Sequence, residues 1–208
     1  IIPIIFAMDR RQLVSTLPEL ANTEDHIFLG SLRRMSFKLN SQSLIFRAEP
    51  ETDASALKGM TLCEELVFLH ELDFESAGMP QRRYLDAICL CLDHTDVFED
   101  SVVVSALDHM SGIFAAGKSP LPLAFMRSCI VVSTKRESMH HWICYTLLTR
   151  LVEGKVYEDK RQWEGWMRCA KLLESSREQG ASSRDAILKL PKEQLDIYQS
   201  RYGVLRED

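Results

Sequence analysis

Between Pro120 and Ala170 apolar residues recur at steps of three and four in three successive segments, separated by only a few polar positions. Leu123, Met126 and Ile130, with Phe125 and Val131 beside them, mark the first segment. Met139, Ile143, Leu147 and Leu151 mark the second, and Trp163, Trp166, Met167 and Ala170 the third. That period matches the α-helical turn and gives each segment one wide apolar face. Helices this short need a neighbour over that face, so three in a row commit the chain to a packed helical array. Pro120 and Pro122 suit the start of the first helix, where a missing N–H costs nothing. Gly154 suits the end of the second.

The same period recurs elsewhere, and no comparable alternating run marks a strand. The spacing predicts helices near 24–39, 62–73, 81–92, 100–116, 122–133, 138–153 and 160–174. Asp9 is expected to cap a short helix over Arg10–Thr16, with Pro18 restarting the chain. Thr23 is expected to cap the helix beginning at Glu24, and Thr61 with Glu64 to form a capping box. Pro80 leads into the helix carrying Tyr84 and Ile88, and Gly117 ends the one carrying Val103 and Phe114. Ile1–Phe6 reads as the tail of a helix begun upstream, Ser41–Arg47 as a short apolar run, and 48–60 and 178–183 as loops. Ala186–Leu190 and Lys192–Tyr202 finish the chain. The expected fold is all-α: antiparallel helix pairs in a HEAT-like α-solenoid or an irregular helical bundle. Residues 1–208 are expected to form a single helical domain, a fragment of a longer scaffold.

Hydrophobic residues make up 46% of the chain, enough to bury a core. The six cysteines lie inside apolar helical patterns, which points to buried thiols in a reducing compartment. Charge is unevenly spread. Residues 51–117 hold thirteen acidic side chains against three basic, whereas 118–208 hold sixteen basic against twelve acidic. An acidic centre repels a phosphate backbone and leaves room for a basic partner. Glu64, Glu65, Glu71, Asp73 and Glu75 are therefore candidate partner-binding residues. The alternative is that the acid only keeps the array in solution while the Pro120–Ala170 helices dock the partner.

The chain offers little for chemistry. His140 and His141 are adjacent and diverge on a helix, as do Cys89 and Cys91 ahead of His94. Cys63 and Cys169 have no neighbouring base, and Asp108-His109 has no nucleophile at an elbow to complete a relay. The scattered glycines form no phosphate loop. No enzyme activity, metal or cofactor is expected. Trp163 and Trp166 share a helical face; core packing is the favoured reading, an aromatic recognition site the other. Arg127 and Arg150 border apolar faces, where their stems can lie along apolar surface. They are candidates for partner binding, or for salt bridges to Glu64 or Glu164 that would hold the array.

Three runs together carry a likeness: Pro120-Leu121-Pro122 leading to Met126-Arg127, Leu148-Thr149-Arg150-Leu151, and Trp163-Glu164-Gly165-Trp166. In this order and spacing they resemble the C-terminal domain family of the symplekins, scaffolds of the pre-mRNA cleavage and polyadenylation machinery. Family members typically carry serine where Thr149 stands and phenylalanine where Trp166 stands; both exchanges keep the residue class. Further similarity lies in Glu64–His70, Asp86–Cys91 and Leu188–Leu195. The resemblance implies a nuclear, non-catalytic scaffold. It would hold the cleavage endonuclease and its inactive homologue through their C-terminal domains, with RNA reached only indirectly and no membrane involved. A helical module contacting the pre-mRNA directly is the other reading, and it requires a continuous basic stripe.

Overall fold

The computed structural model describes residues 10–36, 60–174 and 182–203, and among them every regular element is helical. The chain divides into two compact units, Ile1–His109 and Met110–Asp208, the division falling inside one helix. The expectations for Ile1–Phe6, Ser41–Arg47, most of 48–60 and most of 178–183 lie outside the described residues.

The first unit contains α1 (Arg10–Ala21), α2 (Asp25–Ser36), α3 (Leu62–Glu71), α4 (Gln81–Asp93) and the first part of α5 (Asp100–Ala115). α1 packs on α2 and α4, and α3 packs on α2 and α4. Leu17, Leu20, Phe28, Leu32, Leu66 and Ile88 are buried between them. Pro18 does not restart the chain as expected: it lies within α1. Leu17, Leu20 and Ala21 are all buried, so tertiary burial carries the helix past the ring. Thr23 does not cap α2 either; its hydroxyl donates back to the Leu20 carbonyl at 2.6 Å and so finishes α1. Arg83 on α4 completes that corner. Its guanidinium donates to the carbonyls of Ala21, at 2.7 Å, and Thr23, and to the Asp25 carboxylate at 2.7 Å. A cation at the C-terminal end of α1 thus satisfies carbonyls that the helix leaves open.

The capping box at α3 forms as the spacing predicts. Glu64 N–H donates to the Thr61 hydroxyl at 3.1 Å, and Thr61 N–H donates to the Glu64 carboxylate at 2.8 Å. Gly117, at φ +67°, closes α5: Lys118 N–H reaches the Ile113 carbonyl and Gly117 N–H the Phe114 carbonyl.

The second unit continues with α6 (Phe125–Lys135). α7 follows as His140–Trp142, one π-helical turn over Ile143–Leu147, and Leu148–Glu153. Then come α8 (Lys160–Glu174), α9 (Arg184–Leu188) and α10 (Lys192–Tyr202). Pro122 stands ahead of α6 rather than in its first turn, and its carbonyl accepts from Phe125 N–H at 3.0 Å. Gly154 follows α7 at an ordinary φ of −75°; the left-handed residue is Lys155, at φ +61°. What calls for glycine there is space, because a Cβ on Gly154 would stand 2.7 Å from the Phe114 ring.

Candidate partner-binding surfaces

The acidic segment splits by burial. Glu64 is spent on the capping box and is 4% exposed, and Glu65 is fully buried. Neither presents charge to a partner from this position, which corrects their placement on the surface. Neither oxygen of Glu65 has a hydrogen-bond partner among the described residues, and burial, helped by the Glu64 charge, holds its carboxyl well above the usual range. Glu71, Asp73 and Glu75 are exposed at the end of α3 and in the turn beyond it. Asp73 accepts from the Ser76 hydroxyl at 2.6 Å and the Ser76 N–H at 3.1 Å, bonds that lower its pKa. Partial burial raises that of Glu71.

Behind this segment stands a residue that sequence reasoning did not single out. His70 is buried on α3, with Nδ1 2.7 Å from the Leu66 carbonyl. Its own carbonyl accepts from the Tyr84 hydroxyl at 2.8 Å. Burial pushes the His70 imidazole down to about 4, against the small upward pull of the Leu66 bond, so it is neutral near pH 7.

In the second unit α6 and α8 run side by side in the same direction. The Gln162 amide donates to the Leu121 and Pro122 carbonyls at 3.4 and 3.2 Å. Gly165 faces Met126, and Ser133 Oγ meets Cys169 Sγ at 3.3 Å. Contacts therefore advance along both helices together. A Cβ on Gly165 would fall 2.5 Å from that of Met126, so glycine sets the closeness of the pair. Asp159 caps α8, its carboxylate accepting from Arg161 N–H at 2.8 Å and Gln162 N–H at 3.0 Å.

Trp163 and Trp166 are both buried, at 7% and 0% exposure, and their rings stack with centroids 5.2 Å apart. Trp166 Nε1 donates to the Leu148 carbonyl of α7 at 3.1 Å. Its ring also meets Tyr198 of α10 edge-on at 6.4 Å. This geometry makes them the joint between α8 and its neighbours. Arg150 is half-buried and donates to the Ser111 hydroxyl at 3.2 Å. Arg127 is exposed on α6 and makes no ion pair among the described residues. Arg161 and Arg168 of α8, which the sequence pattern did not bring forward, are exposed and equally without an ion pair. Their common side with Arg127 emerges only once the register of α6 against α8 is known.

Thiol and histidine chemistry is quiet. All six cysteines are free, and only Cys89 is more than marginally exposed. Burial pushes the Cys63 and Cys169 thiols up to about 11 and Cys144 up to about 12, away from the reactive thiolate. Among the described residues no group of three His, Cys, Asp or Glu side chains can hold a metal ion. No helix among them is long and apolar enough to cross a membrane.

Among the described residues the fold is all-helical, and its motif-bearing helices bury both tryptophans while Arg127, Arg161 and Arg168 stay outside. The chain matches the family described as "Symplekin tight junction protein C terminal" over residues 1–201, and it belongs to that family. No solved structure matches it.

Proposed function

We propose that this chain is a non-catalytic scaffold of the nuclear mRNA 3′-end processing complex. It holds the cleavage endonuclease and the inactive homologue of that enzyme through their C-terminal domains, and meets the transcript only through them. The observation that carries this reading is the family match across nearly the whole chain. The burial of both tryptophans supports it, because a well-packed helical unit can present a fixed surface to a partner. The test is co-expression of the chain with the C-terminal domains of the endonuclease and its homologue, followed by size-exclusion chromatography. A stable ternary complex is expected. Separate elution of all three at micromolar concentration overturns the reading.

A further inference from the structure

Two exposed stripes run along the seam between α6 and α8 with the same spacing. Leu123, Arg127, Ile130 and Thr134 step by four, three and four along the α6 side, and Arg161, Gly165, Arg168 and Leu172 do so along α8. Within each helix residues so spaced share one face, and Leu123 stands in the turn just ahead of α6. On the α6 side Arg127 and Thr134 are exposed, with Leu123 and Ile130 half-buried between them. On α8 Arg161 and Arg168 are exposed, Leu172 is 47% exposed, and Gly165 forms the half-buried floor. The two helices run parallel with Gly165 against Met126, so the stripes flank one shallow groove. Its banks carry three guanidiniums, none of them ion-paired among the described residues. Glu164 stands at its outer edge and pairs with none of them.

We propose that this groove binds an acidic amphipathic helix of a protein partner. The inference rests on the scaffold reading and names the surface and the chemistry of one contact within it. Half-buried leucine and isoleucine between arginines suit a helix that lays apolar residues in the floor and carboxylates on both rims. Arg161 and Arg168 are two turns apart, roughly 10 Å along the axis. Carboxylates seven residues apart on the incoming helix match them, and arginine pairs with carboxylate in a two-bonded fork. Neither stripe carries an aromatic ring on which a nucleotide base would stack, which favours protein over single-stranded RNA.

The test uses the full chain and a triple variant, Arg127→Glu, Arg161→Glu and Arg168→Glu. A Leu172→Asp variant probes the apolar part of the α8 stripe independently. Retained helicity by circular dichroism confirms that the variants are folded. The probes are the C-terminal domains of the endonuclease and its homologue, a synthetic helical peptide with a leucine stripe flanked by glutamates seven apart, and a single-stranded RNA 20-mer. We expect the triple variant to weaken binding of the domains by about tenfold or more, through slower association at low salt and through faster dissociation where the forked pairs are lost. The peptide should shift backbone amide resonances along both stripes in the wild type and not in the variants. If the domains bind wild type and triple variant within about twofold, this inference falls while the scaffold reading stands. If the domains do not bind wild type, the scaffold reading falls and the peptide alone decides: shifts on the stripes support the groove, their absence overturns it. RNA shifting those amides where the peptide does not also overturns it, as does self-association that the triple variant abolishes without any peptide response.

Discussion

Trp166 is the residue on which the second unit turns. It is fully buried, bonded through its indole N–H to α7, stacked on Trp163 and edge-on to Tyr198. Trp166→Ala should cost about 3–5 kcal/mol, the usual range for a large aromatic removed from a core. Trp166→Phe should fall between, keeping a ring but losing the bond to Leu148. Denaturant midpoints of the three proteins check this. In the first unit His70 and Glu65 put opposite pH dependences on one helix. The folded value of His70, about 4, lies below the ordinary 6.5, so the unfolded chain binds the extra proton between them. The stability it contributes is present above about pH 6.5 and is lost as pH falls toward 4. Glu65 is raised in the folded state, so its contribution is greatest below the ordinary carboxylate value of 4.5 and declines as pH rises. Midpoints between pH 4 and 8 should therefore show His70→Leu without the acid-side loss, and Glu65→Gln gaining on wild type as pH rises.

At the scale of elements, the α6–α8 pair depends on one missing side chain. Gly165→Ala would set two Cβ atoms 2.5 Å apart, with helix backbone behind each, so the helices must separate. Overpacking of this kind costs about 1–3 kcal/mol. Met126→Ala should not relieve it, because the obstructing Cβ remains, whereas Met126→Gly should recover part of the loss. A thermal or denaturant melt of the single and double variants reads this directly. α7 shows a different adjustment. Met139, Ile143, Leu147 and Leu151 recur at a strict step of four. That step overruns a turn of 3.6 residues, and the wider turn over Ile143–Leu147 takes up the excess. All four side chains end buried as a result.

For the molecule as a whole, charge is the feature that acts at a distance. Of the acidic candidates, Glu71, Asp73 and Glu75 remain at the surface. If that patch steers a basic partner, changing all three to lysine should slow association, most at low ionic strength, with little change in dissociation. The arginine groove predicts a change in dissociation as well as in association, because its forked pairs form part of the contact itself. Stopped-flow binding at two salt concentrations separates the two surfaces. Unchanged association rates at both salts would leave the acid as a solubilising surface.

The helices themselves are legible in the sequence, because a three-four apolar period has one inexpensive solution in water. Their bounds from α3 to α8 fall within a few residues of those the period predicts. The Thr61–Glu64 cap was equally local: three residues of separation and two side-chain types suffice. Pro18 and Thr23 were misread for the complementary reason. Their local preferences are worth a few kcal/mol at most, and the burial of Leu17, Leu20 and Ala21 in the helix that contains Pro18 outweighs them. Composition alone could not tell Glu64 and Glu65, which turn inward, from Glu71, Asp73 and Glu75, which stay outside, since all five lie in one acidic stretch. Likewise Arg127 lies more than thirty residues from Arg161 and Arg168. The period along each helix determined which residues share a face. Only the packing of Gly165 on Met126 decided that the two faces meet, because register between helices is set by contacts that no stretch of either sequence contains by itself.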